Sequence, residues 1–163
     1  MGGGEMKFER HCHQDATTRI PSAILREVET SIREVSVPNG PIAPNAVTGP
    51  IRDALTRRGW SGEVFLSHES KITISGQKSD IGLAIQFGNI SRIYADLLKL
   101  QSLYLDAKLR GAVVIVPALT FLVSLSKSGG TDNRCNLSRI KRELPIYSLV
   151  ITMPIAFYGI DRE

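Results

Sequence analysis

Cysteine is scarce in this 163-residue chain: Cys12 and Cys135 lie far apart, with neither CxxC spacing nor a matching second pair. That excludes a disulfide scaffold and a paired-thiol zinc ribbon. No apolar leader run opens the sequence, so the expected setting is a reducing cytoplasm. Long hydrophobic runs are also missing. The longest, from Ala112 to Leu125, is broken by Pro117 and falls short of the ~20 apolar residues a membrane-crossing helix needs. Walker, GxGxxG, HExxH and GxSxG motifs are all absent, which removes the enzyme classes built on them. Histidine offers little chelation: His11 and His13 flank Cys12 beside a glycine-rich start, and adjacent residues make a poor zinc site. His68 reads as a turn residue.

What is present describes an ordinary globular chain, 42% hydrophobic and 22% charged. A net charge of +4 and a pI near 9.3 suit a polyanionic partner, because lysines and arginines that neutralise phosphates release counterions. The cations are interspersed with Asp and Glu, so charge alone does not make a nucleic-acid binder.

Three consecutive glycines cost backbone entropy without packing, so residues 1–20 read as a loosely ordered tail and 21–163 as one domain. Ile24, Leu25, Val28, Ile32 and Val35 recur at helical spacing and predict a helix over Pro21–Val35. Pro38 to Pro50 carries four prolines and two glycines and reads as a loop, followed by a short helix over Thr48–Arg58 that stops at Gly59. Glu63–Leu66, Lys71–Ser75 and Ile81–Phe87 read as strands. The last two form a hairpin; with Gly76 opposite Ile81, Ile74 faces Leu83 and Lys71 faces Gln86. An apolar stripe of Ile90, Ile93, Leu97, Leu100 and Tyr104 predicts a helix over Ile90–Lys108, with Arg92, Asp96 and Lys99 on another face as ordinary helical ion pairs. Gly111–Val116 is a buried strand, and a helix is expected after it. Residues 126–136 form a loop, Leu137–Glu143 a short basic helix, and Leu149–Ile160 a last strand.

The most distinctive stretch is GQKSDIGLAIQFGNISRIYADLLKLQSLYLDAKLRGAVVIVP, in which a polar Gln86 emerges at a strand end and is followed by Gly88, Asn89 and a long helix. This resembles the BglII/BstYI group of type II restriction endonucleases, with PNAVTGPIRDALTRRGW upstream and ITMPIAFYGI downstream extending the likeness. The resemblance implies an α/β restriction-endonuclease-like core with a mixed central sheet flanked by helices. It also implies double-stranded DNA as partner, a homodimer matched to a palindromic site, and two hairpin carboxylates that hold Mg²⁺ for phosphodiester hydrolysis. Here the motif glutamate falls on Ala84 and the aspartate on Ser75, so only the Gln86 position is kept.

Several nearby acids could substitute as ligands. Asp80 sits at the hairpin turn, roughly 13 Å from Ala84 at strand rise. Glu69, at the expected Gln86 end of the hairpin, and helix acids such as Glu27 or Glu34 stay open. The expected catalytic set is Gln86, Glu69 and Lys71, although Lys71 reads equally as a solubility residue. Asn89, Arg92, Lys78 and Lys99 are the expected DNA-backbone contacts, with helix capping as the alternative for Asn89. Three functions remain: a metal-dependent DNA endonuclease, a degenerate module that binds nucleic acid or protein as a regulator, or a nuclease with migrated ligands.

Overall fold

The computed structural model describes residues 3–125 and 133–163, so residues 126–132 of the expected 126–136 loop lie outside the described part. In chain order the elements are β1 (Gly4–His13), α1 (Ala16–Arg19), α2 (Ser22–Arg33), β2 (Ser36–Val37), α3 (Asn45–Arg57), β3 (Val64–Ser67) and β4 (Ile72–Ile74). There follow β5 (Gly76–Lys78), β6 (Ile81–Ile85), α4 (Ile90–Leu105), β7 (Gly111–Pro117), α5 (Leu119–Leu122), α6 (Leu137–Glu143), a 3₁₀ turn over Leu144–Tyr147, and β8 (Ile155–Arg162). Six strands form one sheet in the order β2-β1-β8-β7-β6-β5, and β3 pairs with β4 in a separate ribbon. The large sheet is mixed: β6, β7 and β8 run parallel, while β1 and β5 lie antiparallel to β8 and β6.

Both faces are covered, which explains why β7 is apolar along its whole length. Successive side chains of a strand point to opposite faces. Leu83, Ile85, Val113, Ile115 and Tyr158 pack with Leu25, Val28 and Ile32 of α2 and Val47, Ile51 and Leu55 of α3. Ala84, Ala112, Val114 and Phe157 pack on the other side with Ile93, Leu97 and Leu100 of α4 and Leu137 and Ile140 of α6. Helix α4 begins as expected at Ile90 and ends at Leu105, three residues early, because Ala107 adopts a positive φ of 55°. Helix α6 spans the expected Leu137–Glu143.

The loose tail expected over residues 1–20 is corrected. Gly4–His13 is a ten-residue strand that pairs with β8 from Met6↔Arg162 to His13↔Ile155. Its alternation explains this: Met6 is buried, Phe8 and Cys12 pack against the α2 side, and Lys7, Glu9 and His11 fall on the other face. Helix α3 starts at Asn45, ahead of the expected Thr48, and Pro50 lies inside it. The last strand is shifted toward the C-terminus, Ile155–Arg162 instead of Leu149–Ile160.

The hairpin register is also corrected. Gly76 pairs with Leu83 and Lys78 with Ile81, leaving Ser79 and Asp80 as a two-residue loop with Ser79 at φ 51°. Residues 72–74 leave this hairpin to pair with β3, and Ile74 packs in the cluster that holds Ala84, away from Leu83. Lys71 is not a strand residue; it closes the turn before β4 with φ 53°.

Candidate functional site

Gln86 leaves the sheet at the carboxyl end of β6, where its backbone N–H still donates to the Ile115 carbonyl of β7 at 2.9 Å. Crevices at the carboxyl ends of parallel strands are where open α/β sheets commonly bind ligands. The Gln86 side chain is held at both ends. Its Oε1 accepts from the Gly88 N–H at 3.0 Å, and its Nε2 donates to Asp96 Oδ2 of α4 at 2.9 Å. Asp96 Oδ1 in turn accepts from Lys99 Nζ at 3.2 Å, and this carboxylate is only 15% exposed. The stripe read as ordinary ion pairing therefore includes the partner of Gln86. The ten-residue spacing between Gln86 and Asp96 gave no local signal of that contact.

Ser75 lies beside Ala84. Its backbone N–H donates to the Leu83 carbonyl at 3.0 Å, and its Oγ accepts from the Ile85 N–H at 3.1 Å, so it bonds to both neighbours of Ala84. Ala84 is 1% exposed and packs with Ile74, Ile93, Leu97 and Leu100. The two positions that the resemblance assigns to carboxylates are thus adjacent, but they present a hydroxyl bound to backbone and a buried methyl. Among the described residues, no group of three or more His, Cys, Asp or Glu side chains could hold a metal ion. Among the described residues, Asp96 is the one carboxylate hydrogen-bonded to Gln86, and it already carries two donors. The donor set that the described residues offer does not fit a two-carboxylate divalent metal site.

A cleft of about 490 Å³ opens beside Gln86. Its lining includes Asn45, Thr48 and Arg52 of α3, Asn89 and Arg92 at the start of α4, and Asn133 and Arg134. The segment after the undescribed residues is stapled to the start of α4: Ile90 N–H donates to the Asn133 carbonyl at 2.7 Å and Cys135 N–H to the Gly88 carbonyl at 2.9 Å. Burial, and then the Asp96 carboxylate, push the Cys135 thiol up to about 12, which makes it a packing group with no nucleophilic role near neutral pH. Among the described residues, the lining contains three arginines and no carboxylate.

The expected site residues separate. Gln86, Asn89 and Arg92 share this cleft. Asn89 is nevertheless the helix cap, its Oδ1 accepting from the Ser91 N–H at 2.8 Å and from the Ser91 hydroxyl. Lys99 is matched by Asp96. Glu69 and Lys71 lie exposed in the β3–β4 turn, with no hydrogen bond or ion pair to Gln86. Lys78 is tied up elsewhere: its ammonium donates to Glu27 at 2.7 and 2.9 Å and to the Arg58 carbonyl at 2.5 Å. Glu34 is bound by Arg58, which holds its carboxyl below the usual range, and Asp80 by Arg110 at 3.1 Å. Neither helix acid reaches Gln86. Lys78→Ala should lower stability by about 1 kcal/mol, since the pair is only partly buried, while leaving DNA affinity unchanged; urea melts and gel shifts read the two effects separately. Arg52 and Arg134, absent from the expected set, lie in a helix and a loop whose approach no sequence spacing reveals.

The chain matches the family model for restriction endonuclease BglII/BglIII over residues 8–160. A crystal structure of restriction endonuclease BglII complexed with a DNA 16-mer superposes with a TM-score of 0.81 at 13% identity, covering 96% of this chain and 79% of that one. Free BglII superposes with a TM-score of 0.69, also at 13% identity, covering 96% of this chain and 80% of the other. No curated protein matches the chain significantly. The mixed sheet flanked by helices is the BglII fold. With a family match that spans nearly all of its length, the chain belongs to the restriction endonuclease BglII/BglIII family.

Proposed function

We propose that this chain is a DNA-binding member of the BglII/BglIII family in which metal-dependent hydrolysis has been lost. Type II restriction endonucleases cleave double-stranded DNA, and the family generally uses divalent metals. The observation that carries the reading is the pair Ser75 and Ala84, adjacent at the hairpin and without a carboxylate between them. DNA binding is supported by family membership, by the basic chain and by a cleft lined by Arg52, Arg92 and Arg134. A role as a binding module of a restriction system, acting on DNA without cutting it, follows.

The active unit in this reading is a homodimer. Leu98, Ile146, Leu149 and Val150 are between 56% and 93% exposed, and they border a groove lined by Tyr94, Leu98, Tyr147, Val150 and Ile151. One patch that carries both protruding apolar side chains and a groove to receive them suits a two-fold, self-complementary contact.

One observation favours a second reading, a nuclease with a displaced ligand: Asp96 touches Gln86. Incubation with plasmid and phage DNA in Mg²⁺ or Mn²⁺, followed by a gel shift, separates the two. Intact but retarded DNA is expected. Discrete fragments that disappear with Asp96→Asn would establish the second reading, and DNA neither cut nor retarded would sink both. Sedimentation of the protein should give a dimer that Leu149→Asp dissociates; a monomeric wild type removes the homodimer.

A further inference from the structure

We infer that Arg52 and Arg92 clamp a DNA backbone phosphate directly in the cleft beside Gln86, so that binding there needs no divalent cation. This rests on the DNA-binding reading and deepens it, because it names the group bound and the residues that bind it.

Every carboxylate among the described residues that forms an ion pair does so with a cation other than these two arginines. Arg10, Arg57, Arg58, Arg110, Arg139 and Arg142 pair with acids, as do Lys78, Lys99, Lys108 and Lys141, whereas no carboxylate among the described residues forms an ion pair with Arg52 or Arg92. Both nevertheless line one cleft, from two different helices, α3 and α4. Arg134 is a weaker candidate, since its guanidinium already donates to the Phe87 carbonyl at 3.4 Å. An arginine without an internal acceptor keeps its planar fork of donors for a ligand, and that fork matches the oxygens of a phosphate.

The lost acids and the unpaired arginines fit together electrostatically. Two carboxylates at the positions of Ser75 and Ala84 would repel a phosphate beside Gln86 unless a divalent ion stood between them. With a hydroxyl and a methyl there instead, the described lining of the cleft carries arginines and no acid, and the Asp96 carboxylate that holds Gln86 is matched by Lys99. A phosphodiester meets positive charge without metal. The start of α4 contributes little, because its N–H groups are already taken by Asn89 and the Asn133 carbonyl.

The test measures binding of a DNA duplex as a function of salt, in EDTA and in Mg²⁺, for wild type, Arg52→Ala, Arg92→Ala and the double variant, alongside titration of ¹⁵N-labelled protein with inorganic phosphate. Wild-type affinity at fixed ionic strength should be the same within about twofold with and without Mg²⁺. Each single variant should bind about tenfold more weakly, with a log–log salt slope smaller by about one. Phosphate should shift the Arg52 and Arg92 side-chain N–H resonances in wild type. Duplex binding that is undiminished in the double variant, with its slope intact, would overturn the clamp while leaving DNA binding standing. Loss of binding on metal removal would overturn it as well. If the duplex does not bind at all, phosphate-dependent shifts of the two arginines would support the anion site without the DNA reading, and their absence would end both.

Discussion

Ala84→Glu should lower stability in metal-free buffer by about 3–5 kcal/mol, the usual cost of an uncompensated buried charge. The side chain would enter a space 1% exposed, among the apolar side chains of Ile74, Ile93, Leu97 and Leu100, which offer a carboxylate no hydrogen-bond donor. Ser75→Asp should cost far less, because Ser75 is only half-buried and its Oγ bond to the Ile85 N–H has a carboxylate equivalent. Combining the two places adjacent acids where the family resemblance expects them. The double variant should then gain what the wild type lacks, a melting temperature that rises on adding Mn²⁺, since a ligand bound only by the native state stabilises it. If it is too unstable to fold, Ser75→Asp alone still reports whether a first acid begins to recruit metal. A wild-type melting temperature that rises with Mn²⁺ as strongly as the variant's would contradict the loss of the site.

The second large effect lies away from the cleft. Gln101 is 5% exposed on α4, and its Oε1 accepts from the Thr152 N–H at 3.0 Å and the Met153 N–H at 2.9 Å, while its Nε2 donates to the Thr152 hydroxyl at 2.7 Å. These bonds replace the ladder that the chain lacks between the 3₁₀ turn and β8, and they fix how β8 enters the sheet. Gln101→Leu fills the same space but leaves the Met153 N–H buried without an acceptor. The expected loss is about 2–3 kcal/mol in urea unfolding. Gln101→Glu, which keeps the acceptor, should lose less than Gln101→Leu; equal losses would assign the effect to packing.

Legibility in the sequence followed how local each cause was. Helix α4 could be read because Ile90, Ile93, Leu97 and Leu100 state its period and Asn89 its cap, all within one segment. Strand β7 could be read from an apolar run bounded by turn residues. Strand β1 was hidden by the glycines before it, although Met6, Phe8 and Cys12 alternate with polar residues; its stability comes from pairing with β8, some 150 residues away. The hairpin slipped by two residues because Ser79 takes a positive φ usually left to glycine, which shortens the turn. Of the site, Gln86, Ser75 and Ala84 were legible through family resemblance, and Arg92 through its place at the helix start. Asp96 as partner of Gln86, and Arg52 and Arg134 as cleft walls, depend on how α3, α4 and the 133–135 segment pack, which no single segment encodes.

Titrating Mn²⁺ into the wild-type protein while following bound ion by its electron paramagnetic resonance tests most directly whether the hairpin has lost its divalent metal site. Free Mn²⁺ signal throughout, with nothing bound at stoichiometric concentrations, is the predicted result. One or two tightly held ions per chain, released by Gln86→Ala or Asp96→Asn, would contradict it.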